Sequence, residues 1–90
     1  MAAKKNPQTR KRIILVDDHP VLRKGLARLI DSKDDFVVCG EASVAPDAME
    51  LIRELKPDLV IVDISLPGTN GIELTKTIRA EFLKLPVLIL

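Results

Sequence analysis

The stretch Leu59-Val60-Ile61-Val62-Asp63-Ile64-Ser65-Leu66-Pro67-Gly68 decides the fold. Four consecutive apolar residues precede a single carboxylate, and a Pro-Gly pair typical of a turn follows shortly afterwards. An apolar run without polar alternation predicts a strand that is buried on both faces of a sheet. Because an unpaired carboxylate is costly to bury, we expect Asp63 at the mouth of the sheet, facing solvent, a metal or a partner.

A second stretch, Ile13-Ile14-Leu15-Val16-Asp17-Asp18, has the same pattern but ends in two carboxylates. Helices and strands alternate between and after these two stretches. Helices are predicted from Pro20 to near Ser32, from Pro46 to Pro57 and from near Gly71 onward, and further strands over 36–41 and 87–90. This alternation predicts an α/β fold in which a parallel sheet carries helices on both faces.

The inner faces of the helices follow from apolar residues at helical spacing. The first helix is predicted to turn Leu22, Leu26, Leu29 and Ile30 inward, the second Ala48, Leu51, Ile52 and Leu55, and the third Ile72, Leu74, Ile78 and Phe82. Arg23, Lys24 and Arg28 are then expected on the solvent side of the first helix. Gly68 and Gly71 are expected to provide backbone freedom in the loop after Asp63.

Length and composition predict one small domain with an aliphatic core. The chain has 90 residues, of which 47% are hydrophobic and only 2% aromatic. Residues 1–12 carry five basic and no acidic side chains, whereas the other 78 carry nine basic and thirteen acidic ones. We therefore expect a basic, flexible tail over 1–11 and an acidic domain over 12–90. No apolar run is long enough to cross a membrane, so a cytoplasmic protein is expected, and Cys39 is predicted to be a small buried hydrophobe.

The acidic residues are predicted to form one site. In a doubly wound sheet, ligands bind at the carboxyl ends of the strands where the strand order reverses. If strands 2 and 3 flank strand 1, Asp17, Asp18 and Asp63 converge on one crevice. Three adjacent carboxylates repel one another unless a cation joins them, and oxygen ligands suit Mg²⁺ or Mn²⁺. The alternative is that these residues are solvated acids that cap helices.

The chemistry available to such a site is phosphoryl transfer. The sequence has no Gly-rich phosphate-binding loop and no Ser/His/Asp or Cys/His set. His19 is predicted to be a helix-entry residue at the rim of the site. A carboxylate can attack phosphorus and form an aspartyl-phosphate. Asp63, alone on its strand, is the predicted nucleophile, and Asp17 and Asp18 remain for the metal.

The motifs Val16-Asp17-Asp18-His19-Pro20, Val62–Gly68 and Asn70-Gly71 together resemble the receiver domain of bacterial two-component response regulators, in the branch with a LuxR-type helix-turn-helix output domain. The resemblance implies a flavodoxin-like, three-layer fold with strand order 2-1-3-4-5. It implies that Asp63 accepts a phosphoryl group from a sensor histidine kinase, in an autocatalytic step rather than as a conventional enzyme. It also implies a Mg²⁺ site in which Asp18 binds directly, Asp17 largely through water, and Ser65 through its backbone carbonyl.

The resemblance stops at the end of strand 4. Receivers of this family continue with a switch Ser or Thr, a fourth helix, a fifth strand carrying a Lys, and a fifth helix. Here the sequence ends at Leu90, so we expect four of five strands and three of five helices. DNA contact would require an output domain outside these residues. The apolar strand 87–90 would be a sheet edge, and such edges pair with other chains.

Three alternatives remain open. The first is a pseudo-receiver or fragment that acts only in protein interaction or self-association. The second is a phosphatase with an Asp nucleophile, which is disfavoured because such enzymes resemble an Asp-x-Asp pattern and position 65 is Ser. The third is a nucleic-acid binder, disfavoured by the acidic body and the near absence of aromatic residues.

Overall fold

A computed structural model describes residues 9–90. The elements are β1 (Lys11–Val16), α1 (Pro20–Asp31), β2 (Phe36–Ala42), α2 (Ala45–Leu55), β3 (Leu59–Val62), α3 (Gly71–Glu81) and β4 (Val87–Ile89). β1 begins at Lys11, one residue inside the predicted tail, because the Lys11 amide donates to the Asp35 carbonyl at the start of β2 (2.8 Å). The predicted flexibility of residues 1–8 lies outside the described residues.

The four strands form one parallel sheet in the order β2-β1-β3-β4. Chain order reverses at β1, since β2 lies on one side of it and β3 on the other. The switch point is therefore between β1 and β3, as predicted. Within the described residues the fold is the α/β arrangement expected from the sequence, with one helix on one sheet face and two on the other.

Alternate residues of the central strands supply two aliphatic cores. Ile14, Val16, Val60 and Val62 pack against α2 and α3 on one face, and Ile13, Leu15 and Ile61 pack against α1 on the other. This burial on both faces explains why β1 and β3 are continuous apolar runs. Partly buried Cys39 packs at the margin of the larger core, which agrees with a structural rather than reactive role.

The inner face of α1 differs from the predicted one. Ala27 is buried, and Leu26 and Ile30 pack beside it, whereas Leu22 and Leu29 are 62% and 57% exposed. Leu26 and Ile30 belong to both faces, but the observed one extends to Arg23 and Ala27 in place of Leu22 and Leu29, so the inner face is rotated by less than the roughly 100° between successive residues. Arg23 consequently lies on the partly buried side rather than on the solvent side. The predicted inward positions of Leu22 and Leu29 are therefore wrong.

The predicted inner face of α3 also needs correction. Ile72 is exposed, because α3 buries the stripe that contains Gly71, Leu74 and Ile78. Within residues 9–90, β4 lies at the edge of the sheet, as expected, and Leu88 is 48% exposed there. Across residues 9–90, no helix combines the length and apolar character needed to cross a membrane.

Candidate functional site

The carboxyl ends of β1 and β3 bring the predicted acidic residues together. Backbone bonds hold the two strand ends side by side, since the Asp63 amide donates to the Val16 carbonyl at 2.8 Å. One carboxylate oxygen from each of Asp17, Asp18 and Asp63 and one ring nitrogen of His19 lie within 4.8 Å of one another. We call these four residues the acidic cluster. The convergence predicted from strand order is thus observed.

The Asp63 carboxylate is held in a fixed orientation. Its Oδ1 accepts hydrogen bonds from the Ser65 backbone N–H (3.0 Å) and from the Ser65 hydroxyl (3.1 Å). These bonds, led by the one from the backbone, hold the pKa of Asp63 below its ordinary value. The side chain is 16% exposed, so Asp63 is ionised and accessible at the same time. With Oδ1 engaged, Oδ2 is the oxygen that faces the cluster, 3.3 Å from His19.

Ser65 has a role that the sequence analysis did not predict. The resemblance assigned its backbone carbonyl to a metal, and that assignment remains a prediction. The observed contacts of Ser65 with Asp63 instead come from its amide and hydroxyl. The signal was present in the sequence, because an Asp side chain commonly accepts a hydrogen bond from the backbone two residues later in a turn.

His19 lies at the rim of the cluster, as predicted, with a side chain that is 57% exposed, and its Nδ1 faces the three carboxylates. Its Nδ1 is 2.9 Å from an Asp17 oxygen, 3.2 Å from an Asp18 oxygen and 3.3 Å from Asp63 Oδ2. The hydrogen bond to Asp17, followed by the charge of Asp18, raises the pKa of His19 above its ordinary value. The His19 amide also donates to Asp17 Oδ1 (2.8 Å), which fixes the ring-bearing backbone beside the carboxylates.

One oxygen of the cluster lacks a hydrogen bond. Asp18 Oδ1 is shielded from solvent and, within residues 9–90, has no hydrogen-bond donor. Buried polar atoms are normally satisfied, and this oxygen has an ion-pair contact with His19 Nδ1 (3.2 Å) but no hydrogen bond, so a cation beside it would satisfy it. The donor set of three carboxylates fits a hard divalent cation such as Mg²⁺. The residues present therefore fit the metal that the resemblance implied.

Arg23 anchors the backbone beneath the cluster. Its Nη1 donates to the Asp17 carbonyl (2.7 Å) and its Nε donates to Glu41 Oε1 (3.0 Å). The residue thus ties the start of α1 to the ends of β1 and β2. Sequence analysis placed Arg23 on the solvent side, because the helical pattern did not reveal the rotation of α1.

The loop after Asp63 is closed by Asn70 and Gly71. Asn70 Oδ1 accepts from the Glu73 amide (2.9 Å) and caps α3, in agreement with its predicted turn role. Gly68 has the positive φ that glycine favours (75°), but Gly71 does not. A Cβ at Gly71 would lie 2.5 Å from the Asp63 carbonyl oxygen. Gly71 is therefore required for close approach to Asp63, which corrects the expectation of backbone freedom.

The fold and site define a class of α/β protein with an acidic cluster at the switch point of its parallel sheet. Comparison with known proteins gives the family. Residues 13–90 match the family described as "Response regulator receiver domain". The chain belongs to this family of two-component signalling proteins, whose members generally bind Mg²⁺ at an acidic pocket.

Individual relatives agree with this assignment. The chain is 44% identical over 71 residues to the nitrate/nitrite response regulator protein NarL of Escherichia coli K12, which covers 79% of this chain and 33% of NarL. It resembles the crystal structure of a LuxR-family two-component response regulator from Aurantimonas sp. SI85-9A1, with a TM-score of 0.85 and 45% identity over 89% of this chain and 57% of that one.

A second solved structure, the response regulator domain of Thermotoga maritima CheB, gives a TM-score of 0.82 and 38% identity, covering 89% of this chain and 59% of that one. These matches confirm the predicted resemblance to NarL/LuxR-type receivers. The chain spans about a third of the length of the curated relatives it matches.

Proposed function

We propose that this receiver domain accepts a phosphoryl group from a sensor histidine kinase onto Asp63 in a Mg²⁺-dependent reaction. The observation that carries the proposal is the geometry of Asp63, whose Oδ1 is held by Ser65 while Oδ2 faces the acidic cluster. A fixed, ionised and accessible carboxylate is suited to nucleophilic attack. The two other carboxylates, Asp17 and Asp18, lie beside the place where charge would develop.

The proposed step is a displacement at phosphorus. A carboxylate oxygen of Asp63 forms a bond to phosphorus as the phosphorus–nitrogen bond of the donor phosphohistidine breaks, and the imidazole that leaves takes up a proton. Because the pKa of Asp63 is lowered, the carboxylate requires no base to activate it. When bound, a divalent cation offsets the negative charge of the transferring phosphoryl oxygens.

Each residue of the proposed metal site has a specific support. Asp18 supplies the orphan buried oxygen, which makes it the first candidate for direct ligation. Asp17 Oδ1 already accepts from the His19 backbone amide (2.8 Å), which is consistent with a ligand that acts largely through water. Asp63 and the backbone carbonyl of Ser65 complete the set of metal ligands that the protein is proposed to supply.

The test is the intact mass of the chain after incubation with Mg²⁺ and acetyl phosphate. We expect a gain of one phosphoryl group, which disappears when EDTA removes the metal. Asp63→Asn should abolish the gain and leave the fold intact, because it removes the nucleophile with little change of shape. Asp34→Asn is the matched control, since it makes the same chemical change at an exposed acid between α1 and β2. Uptake by Asp63→Asn, or none by the unmodified chain, would contradict the proposal.

A second candidate function is self-association through β4, which is an edge strand of the sheet formed by residues 9–90. Leu90 exchanges backbone bonds with Val62 and Ile64, and the Pro86 carbonyl accepts from Val60. In a parallel strand alternate residues face opposite ways, so the N–H and C=O groups of Val87 and Ile89 face outward. The apolar residues Leu88 and Leu90 are 48% and 60% exposed. An unpaired apolar edge of this kind favours pairing with a second strand.

Self-association is tested by sedimentation velocity over a range of protein concentrations. We expect a concentration-dependent dimer that Leu88→Lys dissociates, because a charge on the edge opposes strand pairing. Leu83→Lys is the matched control, since Leu83 is even more exposed but lies in the loop before β4. A strictly monomeric chain at all concentrations would contradict this candidate while leaving phosphoryl acceptance intact.

The wider setting is proposed from the relatives. Among the relatives, NarL is a nitrate/nitrite response regulator and LiaR of Bacillus subtilis is a transcriptional regulatory protein. We therefore propose that this receiver serves transcriptional control in the cytoplasm, through a DNA-binding output domain outside these residues. The corresponding test measures transcription from target promoters with the whole regulator and with its Asp63→Asn variant. An unchanged transcriptional response in Asp63→Asn would contradict the proposed role in transcriptional control.

A further inference from the structure

We propose that Nδ1 of His19 is an additional ligand of the divalent cation, so that the site also accepts borderline metals such as Co²⁺ and Zn²⁺. The inference rests on the proposed metal site, and it adds a nitrogen donor to the three carboxylates. The position of the ring is the observation that carries it. His19 Nδ1 approaches Asp17, Asp18 and Asp63 together, rather than any one of them alone.

The separations match those between neighbouring ligands of one metal ion. Ligands that each lie about 2.1 Å from an octahedral cation are roughly 3.0 Å apart when they are adjacent. The distances from His19 Nδ1 to the oxygens of the two carboxylates proposed as direct ligands, Asp18 and Asp63, are 3.2 and 3.3 Å. All four donor atoms also lie within 4.8 Å of one another, which one coordination sphere can span.

In the absence of a cation the ring makes a hydrogen bond to Asp17 and ion pairs with Asp18 and Asp63, but a helix-capping role does not account for its position. His19 is the N-cap residue of α1, yet its side chain makes no capping hydrogen bond. The hydrogen bond that organises the turn comes from its backbone N–H to Asp17 Oδ1, which any residue but proline could donate. The buried Asp18 Oδ1, which lacks a hydrogen-bond donor, lies 3.2 Å from the same Nδ1. The ring and the orphan oxygen therefore face one common position.

A nitrogen ligand changes metal preference. Carboxylates and water suit Mg²⁺, whereas imidazole suits Co²⁺, Ni²⁺ and Zn²⁺, which bind nitrogen more strongly. Co²⁺ is the most useful probe because it is similar in size to Mg²⁺, so a difference between the two reports on ligand chemistry. Removal of His19 should consequently weaken Co²⁺ binding more than Mg²⁺ binding.

The experiment is isothermal titration of the chain, carrying no histidine tag, with CoCl₂ and separately with MgCl₂ at pH 8. We expect His19→Ala to weaken Co²⁺ binding by about tenfold or more, while Mg²⁺ affinity changes by less than roughly threefold. Lys24→Ala is the control, since it removes an exposed cation from the same helix but no ligand. The ¹⁵N resonance of His19 Nδ1 gives a direct measurement, and its assignment is unambiguous because the chain has one histidine. We expect Zn²⁺ binding to shift this resonance.

The outcomes separate the competing explanations. Equal Co²⁺ affinity in His19→Ala, or an unshifted Nδ1 resonance with Zn²⁺ bound, would overturn the inference. Tighter binding of both metals by His19→Ala would also overturn it, because the ring would then be a competitor of the cation. The carboxylate site is tested independently by Asp18→Ala. If that variant binds Mg²⁺ as tightly as the unmodified chain, the proposed metal site itself fails.

Discussion

Replacing Gly71 with alanine tests the contact that shapes the loop after Asp63. A Cβ on Gly71 would lie 2.5 Å from the Asp63 carbonyl oxygen, 2.7 Å from the Ile64 Cα and 3.0 Å from the Asp63 carbonyl carbon. All three atoms belong to the backbone, so no side-chain rotation can relieve the overlap. Either α3 or the end of β3 must move, and the Gly71 amide bond to the Ile64 carbonyl (2.8 Å) must deform with it.

Two opposing effects determine how much Gly71→Ala changes the free energy of unfolding. Overpacking of a closely packed site costs about 1–3 kcal/mol. Alanine in place of glycine in a helix recovers at most about 1 kcal/mol, and less at the first helical residue. We therefore expect Gly71→Ala to lower the free energy of unfolding by about 1–2 kcal/mol, which corresponds to a melting temperature lower by about 5–15 °C for a domain of this size.

Gly25→Ala is the matched control. Gly25 lies within α1, and an added Cβ meets nothing within 4 Å. The same substitution should therefore stabilise the protein there, by about 0.4–1 kcal/mol, through helix propensity and a smaller entropy loss on folding.

Urea unfolding, followed by far-ultraviolet circular dichroism, measures both variants. The sign of the effect should differ between Gly71→Ala and Gly25→Ala, although the chemical change is identical. Unchanged or greater stability of Gly71→Ala would refute the steric argument. Destabilisation of both variants by the same amount would show that the local contact does not decide the outcome.

Four further results are expected. Asn70→Ala should lower the free energy of unfolding by about 1 kcal/mol through loss of the α3 cap, and no change in the urea midpoint would contradict this. Ile52→Ala, at a fully buried site, should cost about 2–5 kcal/mol in the same assay. Burial raises the pKa of Cys39, so iodoacetamide should react more slowly with the folded chain than with the urea-unfolded chain at pH 8. The difference between the two reaction rates should narrow as pH rises, and equal rates at pH 8 would contradict the prediction. Asp18→Ala should weaken Mg²⁺ binding more than Asp17→Ala, and equal affinities would reverse that ranking.

Much of the fold was predictable because its signals are local. The apolar runs that end at Asp17 and Asp63 marked the two central strands, and the proline residues marked the starts of α1 and α2. The strand order was not a local signal: it was assumed in placing the switch point and implied by the resemblance, and the structure gives β2-β1-β3-β4. Convergence of the acids on the switch point then required only that β1 and β3 be neighbours, as they are.

The errors arose where packing chose between nearly equal patterns. Two inner faces were available to α1, and both contain Leu26 and Ile30. One adds Leu22 and Leu29 and the other adds Arg23 and Ala27, and hydrophobicity alone favoured the first. The sheet face admits small Ala27 closely, and Arg23 gains the Asp17 carbonyl and Glu41 as partners. Neither the packing of Ala27 on the sheet nor the partners of Arg23 can be predicted from the sequence of α1 alone.

The sequence by itself determined the class of fold and the edge of the sheet where the acids meet, and it predicted Asp63 as the nucleophile. Those features depend on the period of apolar residues and on the chemistry of single side chains. Only the tertiary structure decided that His19 faces all three carboxylates and that Gly71 must lack a Cβ. Such features depend on distances of a few tenths of an ångström between elements, which are set by how helices seat on the sheet.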